Sequence, residues 1–408
     1  MKMLCFVAFF LAITLIISAS SYSCVFAAET LPWGVERIRA YCVWDNDFNM
    51  IVDNFANAGD YVSIAVIDSG VDYYVNLNGE KVHHPDLEDN IVFGKGFELV
   101  GSEVVERDDY QDATGHGTMV TGVMAAVDNT IGVIGVAPKA KIYVLKFIGY
   151  PWTHQQLAYA INYAANNLCV RVIVMSLTTM INYTDVYNAC QNAYCNRGAL
   201  LVAAAGNENS GVRYPAKYEF VIAVGAVNEA DQRWIGSDPD ADSNFGPELE
   251  FVAPGVDIYS TTIGSYLPEG NYGTDTGTSF ACPHVAAVAA LIWRSKIDPD
   301  YDLDKNGYWS NGEVRLKLRH MALDLGQAGK DDYYGYGLIN AWAVNQRPLG
   351  DINNDLSVNY RDGIILGGAF GSRPGDVNWD PRADINIDNI VNFLDSSIIG
   401  NNFGKTDP

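Results

Sequence analysis

Three residues with reactive side chains stand beside apolar or small-residue segments that lie far apart in the chain. Asp68 ends the apolar run in VIDSG, His116 stands in GHGT, and Ser279 stands in GTSFACPH at the start of an alanine-rich stretch. A serine hydroxyl is a weak nucleophile until a histidine takes its proton, and the histidine needs a carboxylate that fixes its tautomer. The set therefore predicts a Ser-His-Asp hydrolytic site, provided that folding brings the three segments together.

A fourth polar residue favours the same chemistry. Asn207 follows the apolar run LLVAAAG, so we expect it at the carboxyl edge of a sheet, where open α/β sheets bind ligands. Its side-chain amide can donate to an oxygen that becomes negative during hydrolysis. The backbone N–H of Ser279, at a helix N-terminus, supplies a second donor. Asn207 and Ser279 together predict an oxyanion hole.

Apolar runs that alternate with helical segments between about 60 and 345 must position these residues. Runs that are apolar on both faces and separated by helices indicate a parallel sheet covered on two sides, which is a doubly wound α/β fold. We expect strands at 61–67, 141–147, 170–175, 200–204 and 220–224, and helices at 154–166 and 278–294.

The composition excludes two classes of protein. With 49% apolar and 18% charged residues among 408, the chain can bury a large core, which a disordered protein cannot. The net charge of −23 disfavours nucleic acid as a partner, because phosphate binding needs lysine and arginine. The same acidity favours divalent cations. The length suits one large catalytic domain with a small appendage.

The first 28 residues form a candidate signal peptide. Lys2 precedes an apolar run at 3–17 that is shorter than the roughly 20 residues needed to span a bilayer, and small residues follow to Ala28. The prediction is a secreted protein whose only membrane contact is the leader before cleavage; an uncleaved anchor is the alternative.

Five cysteines remain beyond the leader, and a Cys190–Cys195 disulfide and buried thiols are both open.

The blocks VIDSGVD, GHGT, AAAGN and GTSFACPH, in this order, resemble the signature segments of the subtilisin-like serine peptidases, the subtilases. The resemblance covers about residues 29–347. It implies a mainly parallel seven-stranded sheet between helices, and it implies a role for each residue: Asp68 as orienting carboxylate, His116 as general base and acid, Ser279 as nucleophile, Asn207 as oxyanion donor. Subtilases also commonly carry a prodomain before the mature start. Here that start follows the leader directly, so we expect unaided folding or a chaperone in trans.

The same resemblance predicts two segments that pair with a peptide substrate. Thr178 and Thr179 stand where subtilases commonly carry glycines that line the specificity pocket. Two β-branched residues would narrow that pocket, or the loop runs differently; both interpretations stay open. The residues expected to contact substrate are Ser176, Leu177, Thr178, Ala204, Ala205 and Gly206.

A complete match to the calcium-loop pattern D-x-[DN]-x-[DN]-G-x5-E begins at Asp302 and ends at Glu313. A hard cation takes about six to eight oxygen ligands, and Gly307 permits the sharp turn in the middle of the loop. Helical sequence flanks the loop on both sides. The predicted Ca²⁺ ligands are Asp302, Asp304, Asn306, Tyr308, Ser310 and Glu313.

The composition changes after Pro348, and residues 350–404 contain two copies of a similar loop, 33 residues apart. Each copy ends in aspartate and precedes an apolar stretch. The duplicated loop and helix resemble a dockerin-type repeat, which implies two Ca²⁺ ions and a cohesin-type partner. The alternative is a module that bound calcium stabilises and that has no partner. The predicted ligands are Asp351, Asn353, Asp355, Ser357, Asn359 and Asp362 in one copy, and Asp384, Asn386, Asp388, Ile390, Asn392 and Asp395 in the other.

Two more cation sites follow from the subtilase resemblance, one near the N-terminus and a weaker one built from carbonyl groups. The first takes the side chains of Glu29, Asp86 and Asn129, with the carbonyls of residues 127, 131 and 133. The second takes the carbonyls of Ala216, Tyr218 and Val221.

These features together predict a secreted, calcium-stabilised serine endopeptidase that acts on proteins or peptides through an acyl-enzyme, with retention at the cell surface left open. A catalytically silent surface protein that uses the fold as a scaffold is the alternative, but it predicts a broken catalytic set, and no member is missing. A lipase or esterase of another α/β type is rejected. That class needs G-x-S-x-G with serine first, whereas GTSFA lacks the second glycine and Ser279 comes last.

Overall fold

Eight strands rich in β-branched and small apolar residues form the central sheet of the computed structural model. Their spatial order is Leu249–Pro254 (β10), Val221–Val227 (β9), Leu200–Ala204 (β8), Val172–Met175 (β7), Ser63–Asp68 (β1), Lys141–Ile148 (β6), Ile91–Val100 (β4) and Glu103–Arg107 (β5). The first seven run parallel, and β5 pairs antiparallel with β4 at the edge. The predicted doubly wound α/β fold is confirmed. The eighth strand, a hairpin partner of β4, is an addition to the seven expected.

The structure describes residues 29–45, 49, 51–53, 56–149, 151–236, 241–267, 270–299, 301–342, 344, 352, 357–373, 376–378, 380, 383, 385 and 390–405. The predicted signal peptide at 1–28 lies outside these residues. The strands are Ser63–Asp68 (β1), Tyr73–Val75 (β2), Lys81–His83 (β3), Ile91–Val100 (β4), Glu103–Arg107 (β5), Lys141–Ile148 (β6), Val172–Met175 (β7), Leu200–Ala204 (β8), Val221–Val227 (β9), Leu249–Pro254 (β10), Ile258–Thr261 (β11) and Tyr272–Asp275 (β12).

The two helices whose bounds the apolar patterns predict both form. The helix expected at 278–294 has those bounds, whereas the one expected at 154–166 ends at Tyr163 and continues as a π-helical turn, Ala164–Leu168. The helices are Trp33–Arg37 (α1), Tyr41–Trp44 (α2), His116–Ala125 (α3), His154–Tyr163 (α4), Thr184–Gln191 (α5), Thr278–Arg294 (α6), Asn311–Met321 (α7), Tyr360–Ala369 (α8) and Phe393–Asn402 (α9).

Each face of the sheet packs against its own pair of helices. Along β1, Ile64 and Val66 point to the face that α3 and α6 cover, while Ala65 and Ile67 point to the face of α4 and α5. All four side chains are buried, as expected for a parallel strand with helices on both sides. The sheet therefore holds the N-termini of α3 and α6 in fixed positions relative to the end of β1.

Cys190 and Cys195 do not form a disulfide. Cys190 lies on the buried side of α5, and Cys195 lies exposed in the π-helical turn Asn192–Asn196 that follows, so both remain thiols. Cys282 is buried and also free.

Within the described part of the chain, no helix is both long enough and apolar enough to cross a membrane.

Candidate active site

The carboxyl end of β1 and the start of α3 bring Asp68 and His116 together. Nδ1 of His116 lies 2.7 Å from Oδ1 of Asp68, and the same oxygen accepts the backbone N–H of Ser69 at 2.7 Å. Asp68 is buried, whereas His116 is half-buried and faces the surface. The charge of Asp68 raises the pKa of His116 to about 9, against the opposing effect of burial.

Ser279 is the second residue of α6, and its hydroxyl donates to the carbonyl of Ser176 at 3.2 Å. In return, Ser176 Oγ donates to the carbonyl of Ser279 at 2.8 Å. The next residue, Phe280, places its ring 5.5 Å from the imidazole of His116, centre to centre. The structure therefore brings the serine segment against the histidine, with the hydroxyl bonded to Ser176.

The side-chain amide of Asn207 has a fixed orientation. Its Oδ1 accepts both the backbone N–H of Thr278 at 3.0 Å and the Thr278 hydroxyl at 2.7 Å. A backbone N–H can only donate, so the atom that it contacts must be the amide oxygen. The NH₂ group lies on the side of Gly277, beside the N-terminus of α6. Asn207 and the first turn of α6 thus present donors to one small region.

A buried carboxylate that the sequence analysis did not single out joins the aspartate and histidine segments. Asp112 Oδ1 accepts from Ser69 Oγ at 2.9 Å and from the backbone N–H of Gly115 at 3.0 Å, and its Oδ2 accepts the N–H of Thr118 at 2.9 Å. It therefore accepts amides on both sides of the start of α3 and ties them to the residue after Asp68. The sequence does carry a signal for this role. Asp112 stands four residues before His116, ahead of a helix start, where an aspartate side chain commonly accepts backbone N–H groups.

The segments predicted to contact substrate leave neighbouring parallel strands. Residues 176–178 follow β7 and residues 204–206 end and follow β8, and Met175 pairs with Ala203 in the register of these strands. Thr179 exchanges backbone hydrogen bonds of 2.7 and 3.0 Å with Tyr214, which fixes the course of that loop. A cleft of about 500 Å³ lies beside His116, with the apolar walls Phe147, Ile148, Trp152 and Leu177.

The predicted calcium loop brings its acidic residues together. Oxygen atoms of Asp302, Asp304 and Glu313 lie within 4.8 Å of one another. Burial raises the pKa of Glu313, but hydrogen bonds from Ser310 and the backbone outweigh it and hold the pKa below its usual range. Gly307 turns the loop at a φ of 80°, a conformation that favours glycine. The three carboxylates are a ligand set that suits a hard cation.

The residues predicted near the N-terminus also converge. Glu29 Oε1 accepts the backbone N–H of Asn129 at 2.9 Å, and Asp86 Oδ2 accepts that of Val133 at 3.0 Å. Asp86 is fully buried, and its Oδ1 has no hydrogen-bond partner among the described residues. Burial raises the pKa values of Glu29 and Asp86 to about 7. A buried carboxylate oxygen without a partner suits a bound cation.

One of the three carbonyls predicted for a weaker cation site, that of Val221, lies next to a guanidinium. Arg315 donates to the carbonyls of Val221 at 3.3 Å and Glu219 at 2.9 Å, while it also pairs with the buried Glu250. The positive charge beside the Val221 carbonyl is therefore the guanidinium of Arg315, not a metal ion. This arrangement disfavours a metal ion at that carbonyl.

The two C-terminal copies have matching local structure where the structure describes them. Asn359 and Asn392 begin α8 and α9 with capping boxes that Asp362 and Asp395 complete. The two aspartates also accept the backbone N–H of Ile352 and Ile385 at 2.7 and 2.6 Å. Ser357 and Ile390 stand in the loops before the helices. The other predicted ligands, Asp351, Asn353, Asp355, Asp384, Asn386 and Asp388, lie outside the described residues.

Comparison with known proteins agrees with this geometry. Residues 59–337 match the model of the subtilase family. The chain is 39% identical over 330 residues to a subtilisin of Bacillus pumilus, a match that covers 78% of this chain and 100% of that protein. It is 35% identical over 322 residues to subtilisin Savinase of Lederbergia lenta, with the same coverage of both. The chain belongs to the subtilase family and is a subtilisin-like serine endopeptidase.

Proposed function

We propose that this endopeptidase hydrolyses peptide bonds with Asp68, His116, Ser279 and Asn207. The 2.7 Å contact between His116 Nδ1 and Asp68 Oδ1 carries the proposal. It holds the proton on Nδ1 and leaves Nε2 as the base. The contact of Phe280 with the imidazole supports the neighbouring Ser279 as the nucleophile.

The proposed reaction has two halves. Ser279 Oγ attacks the peptide carbonyl carbon while His116 Nε2 takes its proton, and this proton passes to the amine as the C–N bond breaks. A water molecule then attacks the ester while His116 takes its proton, and that proton returns to Ser279 Oγ. In both halves Asn207 Nδ2 and the backbone N–H of Ser279 donate to the oxyanion.

The substrate of the proposal is an extended peptide between segments 176–178 and 204–206. Digestion of a peptide library tests it, with the wild-type protein and Ser279→Ala compared at equal concentration. We expect cleavage by the wild type alone, and the apolar walls of the cleft beside His116 favour apolar side chains in the cleaved peptides. Equal cleavage by Ser279→Ala would contradict the nucleophile assignment. No cleavage by either protein would favour the silent scaffold.

Calcium is the proposed stabilising ion. The carboxylates of Asp302, Asp304 and Glu313 support one site, and the partnerless Asp86 oxygen beside Glu29 supports another. In both sites an ion would neutralise carboxylates that the fold holds close together or buries. Such an ion binds only the folded chain and so raises its stability.

Secretion and a docking function for residues 350–404 complete the proposal. The run at 3–17 and the small residues that follow it support removal of a signal peptide after export. The matching caps of α8 and α9 support a duplicated calcium-binding module. Exposed apolar side chains on these helices, among them Ile364, Phe393 and Leu394, support a protein partner of the cohesin type.

A further inference from the structure

We propose that Phe280 is a positioning residue that holds the imidazole of His116 in its reactive orientation; the proposal rests on the proposed role of His116 as the base. The two rings lie 5.5 Å apart, centre to centre, at an angle of 55° between their planes. Aromatic rings attract one another at this distance and tilt. Phe280 therefore supplies a contact to the imidazole ring in addition to its hydrogen bond.

The hydrogen bond to Asp68 alone does not lock the imidazole in place. A hydrogen bond tolerates a range of distances and angles, so small changes in the side-chain torsions of His116 can still turn the ring while Nδ1 stays bonded to the carboxylate. Such a turn moves Nε2, the atom that must reach the hydroxyl of Ser279. Packing against one side of the ring opposes that turn, and Phe280 provides such packing.

Phe280 itself has little freedom to move. Its side chain is only 2% exposed and belongs to the core on the α3 and α6 face of the sheet. Its backbone N–H donates to Gly277, and its carbonyl accepts from Nδ1 of the buried His284 at 2.8 Å. Because it follows Ser279 in the same helical turn, its ring keeps a fixed relation to the nucleophile. One side chain thus couples the position of α6 to the base on α3.

The ring also keeps water from one side of the imidazole. The carboxylates that act on His116 are Asp68 on β1, Asp112 before α3 and Asp275 on β12, and each favours the protonated ring. Water in the place of the Phe280 ring would weaken the attraction of Asp68, which is the largest effect on the pKa of His116 and exceeds the opposing effect of burial. We therefore expect a smaller side chain at position 280 to lower the pKa of His116 toward its ordinary value.

The test measures kcat, KM and the pH dependence of kcat/KM for Phe280→Leu and Phe280→Ala. We expect kcat to fall about tenfold for leucine and about a hundredfold for alanine, the scale of loss for a misplacement of about 1 Å. KM should change little, and the acid limb of the profile should move to lower pH. Phe251→Leu is the control, because Phe251 is fully buried in the same core but contacts Tyr336.

Two results would overturn the role of Phe280. One is an acid limb that stays in place in both variants; the other is a loss of kcat no greater than that of Phe251→Leu. If Phe280→Ala fails to fold, Phe280→Leu decides alone. Failure of the proposed function is a separate outcome, since it would appear as an inactive wild-type protein or as an active Ser279→Ala variant.

Discussion

Ser176 and Ser279 exchange two hydrogen bonds, one from each hydroxyl to the other residue's carbonyl oxygen, at 2.8 and 3.2 Å. The sequence explains why the carbonyl of Ser279 is available. Its helical partner would be the N–H of residue 283, but this residue is proline and has none. The hydroxyl of Ser176 takes that place, and so the segment proposed to pair with substrate is bonded directly to the proposed nucleophile.

Ser176→Ala should lower both activity and stability. It leaves the carbonyl of Ser279 without a donor in a site where Ser176 is only 4% exposed. Loss of one such bond costs about 0.5–1.5 kcal/mol, which corresponds to about a two- to tenfold lower kcat/KM if the first turn of α6 shifts. Thermal unfolding and steady-state kinetics of the variant measure the two effects. Wild-type values of both would contradict a structural link between the two serines.

Asn207→Ala should lower kcat about 10²–10³-fold with little change in KM, the effect of removing one oxyanion donor from subtilisin, a relative of this chain. Asn207→Asp should lose at least as much, because a carboxylate repels the oxyanion. Thr278→Val removes one of the two bonds that orient the amide and should cost less than Asn207→Ala. A kcat of Asn207→Ala within threefold of the wild type would exclude the amide as a donor.

The activity should rise with pH up to about 9. The base must be neutral to accept a proton, and Asp68 raises the pKa of His116 to about 9, so most of the imidazole is protonated at pH 7. For the same reason, the stability contributed by this pair is complete below pH 6.5 and is lost as pH rises through 9. The profile of kcat/KM from pH 5 to 11 tests the first statement. An acid limb at or below pH 6.5 would contradict it.

Glu313→Gln should separate calcium binding from helix capping. Glutamine can complete the capping box with Ser310 at the start of α7, but it removes one of three clustered carboxylates. We expect the rise in melting temperature on adding Ca²⁺ to shrink by several degrees. The melting temperature in chelator should fall by less, since the backbone N–H of Leu303 loses its acceptor while the bonds with Ser310 remain. Glu103→Gln, on the exposed edge strand β5, is the matched control. An equal response to Ca²⁺ in both variants would argue against an ion in this loop.

The sequence predicted those parts of the molecule in which local pattern and chemistry agree. The strand Leu200–Ala204 and the helix Thr278–Arg294 have the predicted bounds, because each is a long apolar run with clear ends. The strands β4 and β5 were missed. The segment IVFGKGFELV mixes glycine and lysine with apolar residues, and its strand conformation depends on pairing with β6.

The residues of the candidate site also fall into two groups, those that the sequence predicted and those that it did not. Asp68, His116, Asn207 and Ser279 were selected by residue type and position, since the chemistry requires those groups. Asp112 and Phe280 were missed, because their roles arise from contacts across segments that are distant in sequence. The two open alternatives for Cys190 and Cys195 were a disulfide and buried thiols. Cys190 is a buried thiol, whereas the thiol of Cys195 is exposed in the π-helical turn after α5, which neither alternative predicted.

Covalent labelling of the nucleophile tests the central assignment most directly. An aryl sulfonyl fluoride should add once to the native protein at pH 8, and peptide mapping by mass spectrometry should locate the adduct on Ser279. His116→Ala should label far more slowly, because no base removes the hydroxyl proton. Denatured protein should not label at this residue. An adduct on any other residue, or labelling that proceeds equally well without His116, would contradict the account.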